Sequence, residues 1–242
     1  MTNPLSPELS VVIPCFNENH QITQIAHHWH QWLNENLAQV SFELLLINDG
    51  STDGTGHTID QIRKDLPGTR ALHQLRVGPG RALYRGYSEC RGKWILQLNA
   101  NPGYEPMDFM RMWELKEAKD LILGYRTHRL DSLTRRIAEQ MIKVGIASRF
   151  GAKLHDPNVP FRLMRKDALQ PWLEAIGAEK TMLNCLLAAS IKRHNPQCVT
   201  EIAIPHRPQR KQGDTVMSNM WLAALSLKEI WGTRISLSHE IA

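Results

Sequence analysis

Residues 44–55 read Leu-Leu-Leu-Ile-Asn-Asp-Gly-Ser-Thr-Asp-Gly-Thr. The apolar run stops abruptly at Asn48-Asp49-Gly50 and gives way to a turn rich in Ser, Asp and Gly. A short, uninterrupted, β-compatible run predicts a buried strand with polar groups at its carboxyl end. In open α/β sheets, ligands sit at that end. An earlier stretch repeats the pattern: Leu9–Pro14 is apolar and ends in Pro14-Cys15-Phe16-Asn17-Glu18. Two buried strands, each delivering a carboxylate at its end, predict a shared small-molecule site.

Outward from these two strands the chain alternates. Leu9–Pro14 is followed by a helix over about Gln21 to Leu37, and Phe42–Ile47 by a helix over about Thr55 to Asp65. A strand near Ala71–Leu75 leads through Val77-Gly78-Pro79-Gly80 into a helix from Arg81 to Cys90. Then come strand Trp94–Leu98, helix Met107–Ala118 and strand Asp120–Gly124. Such alternation predicts an α/β fold with a mostly parallel central sheet and helices on both faces. A long helix from Ser132 to about Phe150 follows. After it lie the loop His155-Asp156-Pro157-Asn158, then Phe161–Met164, helical Thr181–Arg193 and strand Val199–Ile204. There is no internal repeat or clear linker. The expected organisation is one domain over residues 1–215 and a helical tail over 216–242.

The chain has 242 residues, 29 Lys and Arg against 24 Asp and Glu, and a formal charge of +5. The excess falls in the carboxyl half, at Arg162, Arg165 and Lys166, and again at Arg207, Arg210 and Lys211. Such clusters point to an anionic partner: phosphate, an acidic membrane surface or nucleic acid. Nucleic acid is disfavoured, because no recognised motif accompanies the charge. Lys192-Arg193 reads as a solvated surface. Cys15, Cys90, Cys185 and Cys198 form no CxxC pair and read as reduced thiols. No signal-peptide pattern opens the chain, and no apolar run reaches the length of a membrane span. The expected location is cytoplasmic, or peripheral on the inner face of the membrane.

Four segments in order carry a family resemblance. They are Val11-Val12-Ile13-Pro14-Cys15-Phe16-Asn17-Glu18, Ile47 to Thr55, Gly92-Lys93-Trp94-Ile95-Leu96-Gln97-Leu98-Asn99-Ala100-Asn101, and Asp156-Pro157-Asn158-Val159-Pro160-Phe161-Arg162. Over roughly residues 9–213 the chain resembles family 2 glycosyltransferases of the GT-A fold, close to the dolichol- and polyprenyl-phosphate sugar synthases. The resemblance implies a nucleotide-sugar donor, a polyprenyl-phosphate acceptor and inversion by direct displacement. It implies that Pro14, Phe16 and Glu18 line the nucleoside pocket, with Asn48 and Asp49 reading base edge and ribose. An aromatic can pack on a base, and a carboxylate can accept hydrogen bonds from ribose hydroxyls. Gly80 and Arg81 belong to a loop that borders the nucleotide in the family. That loop is not a G-x-G-x-x-G, so a dinucleotide-binding reading is set aside. Asp53 before Gly54 is equally ordinary turn and cap chemistry.

The chief departure from the family is Asn99-Ala100-Asn101. The family places Asp-x-Asp here, whose carboxylates hold Mg²⁺ or Mn²⁺ on the diphosphate. Hard dications favour anionic oxygen ligands, so two Asn predict weak metal binding. Glu105 is a nearby carboxylate, though it also suits the start of the next helix. Positive charge must then come from Arg126, Arg162 and the Arg207, Arg210, Lys211 loop, since arginine forks suit phosphate oxygens. Asp156 is a candidate general base for a sugar-hydroxyl acceptor. For a lipid-phosphate acceptor it would instead orient Arg162 or its loop, and an Asp before Pro also caps turns. His27 and His30 share a helical face but lack a third ligand. The tail's Met217, Met220, Trp221, Leu225, Leu227 and Trp231 fit a core, an oligomer contact or a membrane interface. The reading is a glycosyltransferase. Its alternative is a catalytically inactive relative that binds a nucleotide or a partner.

Overall fold

The computed structural model describes residues 6–100, 103–127, 132–205, 216–233 and 235. Seven strands are β1 (Leu9–Cys15), β2 (Phe42–Asp49), β3 (Thr69–Gln74), β4 (Trp94–Gln97), β5 (Leu121–Arg126), β6 (Arg162–Arg165) and β7 (Val199–Ile204). Eight helices are α1 (Asn19–Asn36), α2 (Thr55–Asp65), α3 (Pro79–Glu89), α4 (Pro106–Trp113), α5 (Leu133–Phe150), α6 (Lys166–Ile176), α7 (Leu183–His194) and α8 (Val216–Gly232). The sheet order is β3-β2-β1-β4-β6-β5-β7. Every pair is parallel except those of β6, which runs antiparallel to β4 and to β5.

The continuous apolar runs are explained by burial on both faces. Leu9, Val11, Val12 and Ile13 of β1, and Leu44 to Ile47 of β2, are all solvent-inaccessible. Such strands need helices above and below. β1, β2 and β3 march in one direction across the sheet, and the chain then crosses back to place β4 on the far side of β1. Right-handed crossovers therefore put α1 and α2 on one face and α3 on the other. The reversal creates a switch point between β1 and β4, where a crevice opens outside the strand ends. Cys15-Phe16 and Leu98-Asn99 sit there.

The helices seal the sheet at helical spacing. On α1 the buried positions are Ile22, Ile25, Ala26, Trp29 and Leu33, a single stripe. Trp29 and Trp32 pack edge-on against Phe109 of α4. α3 lies so close to the sheet that a Cβ on Gly86 would meet Ile47 and Val12.

Three expectations shift. The stretch after β6 forms α6, unforeseen because Pro171 interrupts its helical pattern, yet Leu169, Trp172, Leu173 and Ile176 are buried. The helix after Glu105 ends at Trp113, with residues 114–118 in turns. β5 runs on to Arg126, which pairs with Ile204 of β7. Helix α8 packs onto the rest of the chain. Ala223 and Ile230 are solvent-inaccessible, and Glu229 accepts hydrogen bonds from the Thr181 and Met182 amides ahead of α7.

At the start of α3, a Cβ on Gly80 would lie 1.8 Å from the Lys180 carbonyl oxygen. No rotamer relieves that clash, so backbone must move. Gly80→Ala should destabilise the fold by about 1–3 kcal/mol, the usual scale of overpacking. Urea denaturation checks this; an unchanged midpoint would show that the α3–Lys180 contact is loose.

Candidate active site

The loops after β1 and β2 are braced to one another by short polar side chains. Asn17 takes a left-handed φ of 55°. Its amide donates to Ser51 Oγ, and its side-chain oxygen accepts from the Thr52 amide. The Glu18 amide donates to Thr55 Oγ1, and the Asn19 amide to Asp53 Oδ2. Asp53 also accepts from the Thr55 amide and hydroxyl. Burial pushes its carboxyl up, but these hydrogen bonds more than offset that and hold it below the ordinary Asp value. The turn reading of Asp53 therefore has a concrete form: it ties two loops together.

Asn48 and Asp49 end β2 and are nearly inaccessible. Asp49 accepts from Gln74 Nε2 at 2.8 Å and from the Val77 and Gly78 amides at 3.0 Å. Asn48 Oδ1 accepts from the Ser51 amide. Both side chains organise the loop that leads into α3. Phe16 is half-exposed beside them, with the Arg76 guanidinium 3.2 Å from its ring centroid. That stack is a cation–π contact. Pro14 and Glu18 lie on this same edge of the sheet.

The adjoining cleft has a volume of about 220 Å³. Its lining includes Pro79, Asn99, Arg126, Arg135, Lys143 and Asp156. Pro79 follows Gly78, which Asp49 holds, so this wall leads into the cleft. Asn99 is exposed at the end of the β4 segment. Arg126 and Asp156 form an ion pair, Nε to Oδ2 at 2.6 Å, with side chains only 12% and 7% exposed. Burial alone would lower the Arg126 pKa. The attraction and hydrogen bond of Asp156 more than compensate, and the guanidinium is held above its ordinary range.

Two sequence expectations are corrected here. Arg162 is fully buried and donates to the backbone carbonyls of Pro157, Val159 and Asn184, so it scaffolds the site and does not face a phosphate. Asp156 accordingly pairs with Arg126 and not with Arg162. Gly80 serves the close approach to Lys180, and Arg81 is ion-paired to Glu179. Asn101, Arg207, Arg210 and Lys211 lie outside the described residues.

Sequence reading missed Arg135, Glu139 and Lys143, which line the cleft from α5. Their i, i+4, i+8 spacing on one helix face was the available signal. It also missed the polar layer below. Tyr87 Oη lies 2.9 Å from Gln97 Oε1 and 2.8 Å from Asn184 Oδ1, and Asn184 Nδ2 donates to Gln97.

The described part of the lining offers a divalent cation no cluster of anionic ligands. Among the described residues no three His, Cys, Asp or Glu converge on a point that could hold a metal ion. The cleft's two carboxylates, Asp156 and Glu139, each face an arginine, Arg126 and Arg135. Three cations against two anions make the lining net positive, which suits an anion.

The family profile of glycosyl transferase family 2 matches residues 10–173. The chain belongs to that family. Its similar relatives include the undecaprenyl-phosphate 4-deoxy-4-formamido-L-arabinose transferase of Pseudomonas syringae pv. syringae, 26% identical over 220 residues, covering 90% of this chain and 63% of the relative. The same-named protein of Yersinia enterocolitica is 26% identical over 222 residues, covering 90% and 65%. The chain thus spans less than two thirds of these relatives' length. Among solved structures, glucosyl-3-phosphoglycerate synthase from Mycobacterium tuberculosis with Mn²⁺, UDP and glucosyl-3-phosphoglycerate superposes with a TM-score of 0.70 at 18% identity, over 95% of this chain and 82% of that one. The same enzyme with phosphoglyceric acid gives 0.72. These likenesses show the expected GT-A fold, with its seven-stranded, mostly parallel sheet. Asn99 places a neutral amide at the exposed end of the β4 segment, on the lining of the cleft.

Asp156→Asn should leave the Arg126 charge buried without its counter-ion, at a cost on the order of 3 kcal/mol. The double variant Arg126→Met, Asp156→Leu should recover much of that loss. Chemical denaturation of the three proteins checks it; a double variant as unstable as the single would show that the pair is not a closed unit.

Proposed function

We propose that this chain transfers a sugar from a nucleotide-sugar donor to the phosphate of a polyprenyl phosphate. One observation carries the acceptor assignment: the best-placed carboxylate of the site, Asp156, is locked onto Arg126. A sugar-hydroxyl acceptor needs a base to take its proton. A lipid phosphate is already an anion and needs none. The names of the relatives, which are undecaprenyl-phosphate sugar transferases, support the same acceptor class.

In this reading the nucleoside rests on the wall of Pro14, Phe16 and Asp49, and the diphosphate extends past Pro79 into the cleft. An acceptor phosphate oxygen attacks the anomeric carbon from the side opposite the leaving group. The bond from that carbon to the diphosphate oxygen breaks, its electron pair leaves with the nucleoside diphosphate, and configuration inverts. Arg126, Arg135 and Lys143 stabilise the charge that develops on the leaving oxygen and hold the incoming phosphate. Their positions are fixed before the reaction, Arg126 by Asp156 and Arg135 by Glu139. Such an acceptor also places the chain at a membrane surface, although no helix among the described residues is long and apolar enough to cross one.

A second reading draws on Asn99: a fold that binds the nucleotide and no longer transfers. The two separate in one assay. Purified chain is offered a panel of nucleotide sugars and a short, water-soluble prenyl phosphate, with EDTA, Mg²⁺ or Mn²⁺. Transfer should occur and survive EDTA. Arg126→Ala should lower kcat/KM by at least 10²-fold, the scale of losing one preorganised charge stabiliser. Asn99→Asp should raise the affinity for Mn²⁺ in the presence of nucleotide. EDTA inhibition reversed by Mn²⁺ would overturn the metal-independent reading, and binding without transfer across the panel would favour the second one.

A further inference from the structure

Helix α5 has two functional-looking faces. One lines the cleft with Arg135, Glu139 and Lys143. The other is apolar and open: Leu133 is 70% exposed, and Ile137, Met141 and Val144 continue the stripe at helical spacing. Helix α8 lies against it, since a Cβ on Gly145 would meet Leu227 at 2.4 Å. α8 adds Trp221, 66% exposed, with Leu225 and Trp231. Between the two helices runs a groove of about 490 Å³ lined by Ile137, Met141, Val144, Leu227 and Trp231. A contiguous apolar patch with two exposed tryptophans marks an interaction surface.

Charge selects the occupant. α5 carries Arg135, Arg136, Lys143 and Arg149 against one acid, Glu139, which faces Arg135. The one acid of α8, Glu229, is turned inward onto the Thr181 and Met182 amides, while Lys228 is exposed. With Arg135 and Lys143 on the cleft side, the exposed cations Arg136 and Lys228 border the apolar face, and neither helix turns a carboxylate outward there among the described residues. A second copy docked through the same face would set these cations against themselves, because a two-fold interface is self-matching. An anionic lipid surface satisfies both halves. Acyl chains receive the apolar stripe, headgroup phosphates receive the cations, and tryptophan favours the boundary between them.

We propose that the α5–α8 face docks on an anionic bilayer, with Trp221 and Trp231 at the headgroup level and Arg136 and Lys228 on lipid phosphates. The proposal rests on the lipid-phosphate reading of the cleft in one respect. Because α5 borders both surfaces, a lipid whose phosphate enters between Arg126 and Lys143 keeps its chain on the membrane side of the same helix.

The test is sedimentation of the full chain with phosphatidylglycerol-containing vesicles and with pure phosphatidylcholine vesicles, without donor or acceptor. Binding should require the anionic lipid, fall as salt rises, and shift tryptophan emission to the blue. The double variant Ile137→Asp, Val144→Asp, verified as folded by circular dichroism, should bind at least tenfold more weakly. The milder pair Trp221→Phe, Trp231→Phe should abolish the emission shift. Absence of vesicle binding would overturn the proposal, as would unchanged binding by the double variant. So would a stable dimer that the Asp variant dissociates. A chain that docks yet transfers nothing would sink the proposed reaction alone. A chain that transfers to the soluble prenyl phosphate yet ignores vesicles would sink the docking alone.

Discussion

The guanidinium of Arg162 is wholly buried and donates to the main-chain carbonyls of Pro157 and Val159 on one side and Asn184 on the other. Burial lowers its pKa, and no carboxylate is hydrogen-bonded to it among the described residues. Leaving a buried loop carbonyl such as that of Pro157 or Val159 without its donor would cost roughly 1–3 kcal/mol. Residues 156–161 thereby become a fixed ledge at the carboxyl edge of the sheet, joined to the head of α7. β6 can then enter the sheet backwards between β4 and β5, opposite Gln97 and Leu123. Asp156, at the start of the ledge, meets Arg126 at the end of β5 only because that insertion is held.

This arrangement explains why the cleft is polar but poor in free carboxylate. Each acid present is spent on positioning a base: Asp156 on Arg126, and Glu139 on Arg135. A site of that kind presents fixed positive charge to whatever enters. Asn99 acts in the same direction, because its neutral amide lines the cleft without adding negative potential. The cleft is therefore electrostatically consistent with itself.

Much of this was legible in the sequence. The apolar runs of β1 and β2 read as strands covered on both faces, and their abrupt polar ends do stand at the carboxyl edge of the sheet. Helix α2 and strand β7 fall where periodicity places them. What stayed hidden was of three kinds. Pro171 concealed α6, because tertiary burial of Leu169, Trp172, Leu173 and Ile176 overrode a residue that disfavours helix interiors. The role of Arg162 was misread because a basic residue beside a motif suggests a ligand, and nothing local shows that it is surrounded by backbone oxygens. Arg135 and Lys143 were passed over because α5, although it lies between Arg126 and Asp156 in sequence, carries no motif of its own, and only the fold turns its polar face onto the cleft. Asp49 is intermediate: its position was expected, but its bonds to the Val77 and Gly78 amides come from a loop whose path no pattern reveals.

The bracing of the first loops has a thermodynamic corollary. Asn17, Asp53, Thr55 and Asp49 fasten three chain crossings to one another through side chain to main chain bonds. A ligand that reaches this wall finds these groups already immobilised, so little conformational entropy remains to be lost on that side. Selectivity there is that of a rigid template, in which the loops' own bonds set the outline before anything docks.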